Sequence, residues 1–360
     1  MSQLTNQALM ETLRHFRLGD EVLCCEPYGG GHINSTQLVT DRNGKRYILQ
    51  RISDRAFKDV PALMENITLV TDYLHSRSGD PRSVLTLVPT VDGKTFVQNE
   101  HGYWRIYNFI EDSLCLQMPE SDDDFYESAV AFGQFQQALK DFPVEKLHEI
   151  IPNFHNTPDR YRLFHEVLER DPMGRAASVQ KEIDFILARE EEMGTAQRML
   201  EAGELPERVT HNDTKLNNVL LDANTRKALC VIDLDTVMPG LSIFDFGDSI
   251  RFGASTGAED EPDLSKVSMS LDRFRTYTRG FLSSCQGLTE AEIRMLPMGA
   301  KTMTLECGMR FLTDYIDGDH YFAIHREGQN LDRCRTQLKL VADMESKWDE
   351  MHKIVMEEKR

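Results

Sequence analysis

One stretch constrains the whole chain: Arg208–Phe252, RVTHNDTKLNNVLLDANTRKALCVIDLDTVMPGLSIFDFGDSIRF. Two apolar runs, Val219–Leu221 and Ala228–Leu234, flank the turn-rich Asp222–Lys227, the pattern of a β-hairpin. Ahead of the first run stands His211-x-Asp213-x4-Asn218, and the second run delivers Asp233 and Asp235. The hairpin gathers a carboxylate, an amide and a second carboxylate at the ends of neighbouring strands. Phosphoryl transfer needs such a set: one group to orient and deprotonate a hydroxyl, and hard oxygen ligands for Mg²⁺. In this reading Asp213 takes the proton, Asn218 and Asp233 hold the metal, and His211 braces the loop. A metal-dependent hydrolase also uses acids and histidines, but no H-x-x-H or H-E-x-x-H pattern completes such a site.

Upstream, the chain reads as strand, glycine turn, strand, hairpin, strand. Val22–Pro27 leads into Tyr28-Gly29-Gly30-Gly31-His32-Ile33-Asn34, Gln37–Thr40 follows, and Asn43-Gly44 signals a hairpin before Tyr47–Ile52. Glycines there let backbone N–H groups approach phosphate oxygens. No Gly-Lys-Ser/Thr follows, so this is not a P-loop. A glycine loop near the start and an HxDxxxxN loop well downstream match the order of a bilobal kinase. Val60–Leu74 predicts a helix with Pro61 in its first turn and Leu63, Ile67, Val70 and Leu74 on one stripe. The third strand offers Gln50 where a protein kinase has its phosphate-pairing lysine, which leaves Glu65 a solvated helix residue. Arg51 points to the strand's other face. Strands are expected at Val84–Pro89, at Thr95–Gln98 and over the aromatic run Tyr103–Ile110, then a linker at Glu111–Pro119.

Beyond the linker the pattern turns helical. Ser121 and the acids after it cap a helix carrying Phe125, Ala129, Phe132 and Leu139. Further helices are expected from Thr157, over Ile183–Leu200, Leu271–Ser284 and Glu290–Ile316 with a bend at Pro297, and from Asn330 to Met356. Glu306 and Arg310 form an i,i+4 pair on one of them. The fold class is therefore α+β and bilobal, protein-kinase-like, with a β-rich lobe over residues 1–110 and a mostly helical lobe over 111–360.

Charge narrows the partners. With 59 acidic against 41 basic residues the net charge is -18, which argues against nucleic acid or an anionic membrane as the main partner. No apolar run reaches the length of a membrane span, and the charged N-terminus lacks a signal-peptide core. Seven scattered cysteines without a C-x-x-C pair read as free thiols, so a cytoplasmic location is expected.

The set THNDTKLNN, VIDLD and FDFGDSIRF resembles the aminoglycoside phosphotransferase and choline kinase superfamily of small-molecule kinases. Within it, the chain is most similar to bacterial N-acetylhexosamine 1-kinases. The likeness runs through EPYGGGHINST, RYILQ, WRIYNFIE, IDLDTVMPG, FDFGDSIRFGAST, DLSKV, ECGMRFLTDY and the YFA after His320. Those kinases look similar even at the glutamine of RYILQ, so the missing lysine is a shared trait. The resemblance implies ATP- and Mg²⁺-dependent phosphorylation of the anomeric hydroxyl of N-acetylglucosamine or N-acetylgalactosamine. It implies Asp213 as catalytic base and Asn218 with Asp233 as the metal pair. It further implies Gly30, Gly31, His32 and Asn34 beside the nucleotide phosphates, and Thr236, Arg310 and Tyr321 against the sugar. The alternatives are another acceptor (choline, an aminoglycoside or a different sugar) and a nucleotide-binding regulatory pseudokinase. Intact Asp213, Asn218 and Asp233 oppose the last.

Overall fold

In the computed structural model, which describes residues 6–29 and 33–359, a small antiparallel sheet precedes a larger helical part. Helix α1 (Asn6–Leu13) leads to β1 (Val22–Pro27), β2 (Ser35–Asp41) and β3 (Arg46–Ile52). The β2–β3 turn falls at Asn43-Gly44, with Gly44 at φ +80, a conformation that only glycine adopts freely. Helix α2 (Val60–His75) buries Leu63, Ile67, Val70 and Leu74, and Asp59 caps it by accepting from the Ala62 N–H. Strands β4 (Val97–Asn99) and β5 (Gly102–Asn108) complete a five-stranded sheet of order β1-β2-β3-β5-β4.

Register decides which side chains meet the cleft. Thr36 lies opposite Gln50, and Gln50 opposite Arg105, so three polar groups form a row on one face. The other face, with Val39, Tyr47, Leu49, Trp104 and Ile106, packs on Leu9, Leu13 and Phe16 as a separate core. The strand expected at Val84–Pro89 does not form. Val88 donates to the Ile106 carbonyl and Asn108 to that of Thr86, but Pro89 has no N–H with which to extend the ladder.

The expected linker is partly a strand: β6 (Ser113–Cys115) pairs with β8 (Val219–Asp222), which pairs with β9 (Ala228–Val231). Helix α3 (Asp122–Leu139) opens on a capping box of Ser121 and Asp124, and α4 (Thr157–Arg170) has proline in its first turn. The helix expected over Ile183–Leu200 is three pieces, α5 (Gln180–Leu187), α6 (Glu190–Met193) and α7 (Thr195–Glu201). They break at Arg189, which reaches Glu345 at 2.7 Å, and at Gly194. The breaks let Ile186, Met193 and Ala196 all turn inward.

Strand β7 (Arg208–Thr210) pairs with β10 (Met238–Gly240), and α8 (Ser242–Gly253) follows at once. Helices α9 (Leu271–Ser284) and α10 (Glu290–Asp317) match expectation, α10 running on through Pro297. The last expected helix divides at Lys347 into α11 (Gln329–Ser346) and α12 (Trp348–Glu358), where the Lys347 backbone leaves the helical region at φ -111 and its ammonium meets the Met269 carbonyl and Asp343, both at 2.7 Å. Helix α8 crosses α10 at a glycine pair: a Cβ on Gly247 would stand 2.3 Å from the Gly299 carbonyl oxygen. Among the described residues no helix is long and apolar enough to cross a membrane.

Candidate active site

The loop His211–Asn218 leaves β7 and is held from three sides. The buried His211 ring donates from Nε2 to the Ile232 carbonyl at 2.9 Å, and its Nδ1 accepts the Asp213 N–H at 3.3 Å. Phe132 and Phe135 meet it edge-on, so the ring braces the loop and has no free nitrogen for proton transfer. Asn212 sits at φ +64 and donates to the Thr210 and Thr236 carbonyls. Below it, α8 supplies two buried carboxylates. Asp245 accepts the N–H groups of His211 and Asn212 at 2.9 and 2.8 Å, and Asp248 accepts that of Thr214 at 3.1 Å. Burial pushes the Asp245 carboxyl up, opposed by these donors. Burial acts the same way on Asp248, but Arg251 and Lys215 beside it outweigh that and hold it low.

Asp213 is thereby presented on a fixed backbone. Its Oδ1 pairs with Lys215 at 2.8 Å. Burial disfavours the Lys215 ammonium, but Asp213 and Asp248 outweigh it and raise its pKa. The Asn218 amide donates to the Asp213 carbonyl and Oδ2 at 2.8 and 3.0 Å, which leaves its Oδ1 without a hydrogen bond among the described residues. Asp233 sits at φ +58 at the end of the hairpin, and no hydrogen bond reaches its carboxylate among the described residues. Its side chain opens to solvent, yet the cleft around it, then Asp235 and Asp213, push its carboxyl up to about 6. An amide oxygen without a hydrogen bond, and a carboxylate crowded by other acids, are hard donors that fit a divalent cation.

Of the phosphate-side residues, Gly30, Gly31 and His32 lie outside the described residues. Asn34 accepts the Ser53 N–H at 3.0 Å and donates to Asp235 Oδ2 at 2.5 Å. Gln50 answers the question of the missing lysine. Its Oε1 accepts from Arg105 Nε and Nη2 at 2.9 and 2.8 Å, and its Nε2 reaches Thr36 at 3.2 Å. Arg105 Nη1 pairs with Asp235. Arg51, on the other face, lies against Gly102. Glu65 faces outward to His148 at 2.8 Å, as a solvated residue.

The sugar-side candidates form a second cluster. Arg310 has no ion pair with Glu306, contrary to the i,i+4 expectation. Glu306 is buried and taken by His155 Nδ1 and the Thr157 hydroxyl, both at 2.8 Å. Burial raises its pKa, but His155 first and Arg310 next outweigh that and hold it low. The Arg310 guanidinium lies 5.5 Å from the Phe154 and Phe322 rings and 5.8 Å from Tyr321. Tyr321 is 70% exposed, with its hydroxyl 3.5 Å from Arg310. His155 ties this cluster to the His211–Asn218 loop, its Nε2 lying 3.4 Å from the Asn212 carbonyl. Thr236 donates its hydroxyl to the His211 carbonyl at 2.6 Å, two residues ahead of Asp213 in the same loop.

Asp245, Asp248, His155 and Arg105 carry this arrangement without having been singled out from the sequence. A signal existed for the first two: acids inside the apolar run FDFGDSIRF can be buried only if hydrogen-bonded or paired. The other two meet their partners across long stretches of chain.

The phosphotransferase enzyme family model matches residues 25–276. Among solved structures, the chain is similar to an aminoglycoside phosphotransferase from Alicyclobacillus acidocaldarius (13% identity, 99% of this chain and 98% of that one, TM-score 0.65). A choline kinase from Streptococcus pneumoniae is 13% identical over 94% of this chain and 98% of its own, with a TM-score of 0.58. An amicoumacin kinase in complex with AMP-PNP and Ca²⁺ is 13% identical over 96% of this chain and 94% of its own, with a TM-score of 0.59. At these identities the likeness establishes the fold.

Proposed function

The chain belongs to the phosphotransferase enzyme family and is a small-molecule kinase, and from that premise we propose that it phosphorylates the anomeric hydroxyl of N-acetylglucosamine or N-acetylgalactosamine from ATP. The N-terminal lobe, residues 1–110, takes the nucleotide and residues 111–360 supply the base and the acceptor site. Asp213 holds the anomeric hydroxyl in line and takes its proton as the new O–P bond forms and ADP leaves. An anomeric hydroxyl is more acidic than a simple alcohol, so a carboxylate suffices as base. Asn218 and Asp233 would hold Mg²⁺, which when bound neutralises phosphate charge. Most of the acceleration comes from positioning, which is the work of His211, Asp245 and Asp248.

The observation that carries the acceptor assignment is Arg310. Among the described residues no carboxylate pairs with it, and it stands among three aromatic rings. A free guanidinium donates in a fork to hydroxyl and acetamido oxygens, and Tyr321 offers a ring face to a pyranose. The same cation repels a quaternary ammonium or a polyamine. A second reading, transfer to choline or an aminoglycoside, is favoured by the net charge of -18, which draws cations toward the surface.

Incubation with ATP and Mg²⁺ against N-acetylglucosamine, N-acetylgalactosamine, choline and kanamycin, read by ³¹P NMR, separates the two. A sugar 1-phosphate is expected. Phosphate found only on choline or kanamycin ends the first reading.

A further inference from the structure

A kinase of this shape ordinarily builds a charged pair from a third-strand lysine and a glutamate on the following helix, and both must be in place for transfer. Here neither position serves: Gln50 stands on β3, and Glu65 faces outward to His148. We propose that Arg105 and Asp235 take over this duty, Arg105 acting as a positioning residue that fixes the metal-side turn from the nucleotide-side sheet. The proposal rests on the kinase reading above.

Four observations support it. Arg105 is 1% exposed, and its donors are spent on Gln50 and Asp235, so it acts through them and not by touching phosphate. Gln50 is in turn held by Thr36, so the cation is seated by the whole cross-strand row of β2, β3 and β5. Asp235, 3% exposed, is gripped twice from the N-terminal side, by Arg105 and by Asn34 just ahead of β2. Finally, Asp235 and Asp233 share one tight turn, Leu234–Thr236, which Asp233 enters at φ +58. Holding Asp235 therefore sets where Asp233 points.

This divides the two acids of the I-D-L-D segment. Asp235 is buried with a donor on each carboxylate oxygen, while Asp233 stays open to solvent without a hydrogen-bond partner among the described residues. A structure-holding ion pair would need only Arg105 and Asp235. The further engagement of Gln50, Thr36 and Asn34 ties the pair to β2, β3 and the residue just ahead of β2, in the lobe proposed to take the nucleotide, which a purely structural pair does not require.

The test uses the full chain and Mg²⁺·AMP-PNP as probe, with binding read by calorimetry and folding by circular dichroism. R105M should weaken binding by about tenfold or more, because one buried charge is left uncompensated. In steady-state turnover KM for the acceptor should move less than about twofold, since Arg310 and Tyr321 are untouched. The double variant R105M/D235N should regain fold stability, because both charges go together, but not binding, because the tie from the sheet to the turn that carries Asp233 is still missing. If R105M does not fold, R105K carries the test: it keeps the charge but cannot fork between Gln50 and Asp235, and binding weaker than wild type is expected. Unchanged binding in folded R105M or R105K overturns the proposal, as does a double variant that regains wild-type binding. If the wild-type chain itself fails to bind Mg²⁺·AMP-PNP, the kinase reading falls with it. Wild-type binding that the variants leave unchanged removes only the role of Arg105.

Discussion

Asp245→Asn tests whether the catalytic loop is held from beneath. The Asp245 Oδ2 accepts both the His211 N–H at 2.9 Å and the Gln136 amide at 2.8 Å, and Oδ1 accepts the Asn212 N–H at 2.8 Å. An asparagine keeps one oxygen. Its best orientation leaves that oxygen with His211 and Gln136 and turns an NH₂ group toward the Asn212 N–H. One charge-assisted bond is lost and one buried donor is stranded, a cost of about 2–4 kcal/mol. Against this, burial raises the Asp245 carboxyl despite its donors, so the native charge already carries a desolvation cost that the amide removes. We therefore expect a net loss of about 1–3 kcal/mol in urea unfolding.

The functional consequence is more specific. The unanchored residue is Asn212, held at φ +64 immediately before Asp213, and a left-handed backbone persists only where its surroundings enforce it. Turnover should fall by about tenfold to a hundredfold, while KM for ATP changes little because Asn218 and Asp233 are not touched. The pH dependence has a definite sign. A carboxyl whose folded pKa lies above its unfolded one costs stability as pH rises from about 4 through the folded value, so the stability gap between wild type and variant narrows over that range. A variant within about 0.5 kcal/mol of wild type at pH 4–5, with undiminished turnover, would refute the idea that α8 positions the loop.

How much of this was legible depends on whether a signal is local. The capping box of α3, the Asn-Gly turn, the apolar stripe of α2 and the ends of α9 all rest on contacts within a few residues, and the sequence reads them correctly. Helix α8 escaped notice because all of its residues but Phe252 are buried. Its acids Asp245 and Asp248 recur at helical spacing, but they face buried backbone donors instead of water, so they do not mark a solvent face. At the breaks, Arg189 and Lys347 reach partners over seventy residues distant, Glu345 and Met269, contacts that no sequence window contains.

The site divides the same way. Asp213, Asn218 and Asp233, proposed as the base and the metal pair, can be singled out because they lie in one loop and one hairpin. Arg105 cannot, although it stands in a conspicuous run, WRIYNF. Its meaning lies in the register that sets it opposite Gln50, and a one-residue slip would send it to the other face. The i,i+4 spacing of Glu306 and Arg310 misled for a related reason: adjacency on a helix permits a pair, but His155 and Thr157 compete for the acid from another element.

Three further predictions bear on the same residues. Asp213→Asn should lower kcat by about 10²–10⁴ with acceptor KM little changed, and wild-type turnover in the purified variant would remove it as the base. Gly299→Ala puts a Cβ 2.1 Å from the Ile243 carbonyl oxygen, so α8 must move off α10 at a cost of about 1–3 kcal/mol. Because α8 carries Asp245 and Asp248, thermal stability and turnover should drop together, and a stability loss with normal kcat would show the loop to be independent of that crossing. The last prediction concerns Asp233 without metal. Its pKa stands at about 6 against an ordinary 3.8, which at face value costs about 3 kcal/mol of stability above both values. The carboxylate opens to solvent, and screening there reduces the figure to about 1 kcal/mol. In EDTA, then, Asp233→Asn should be more stable than wild type by about 1 kcal/mol at pH 7.5, and the two should converge toward pH 4, where the wild-type carboxyl is protonated in the folded state. The same substitution should abolish activation by Mg²⁺. A variant that is less stable at pH 7.5, or a gap that does not change with pH, would mean that Asp233 is not held at a cost in the metal-free cleft.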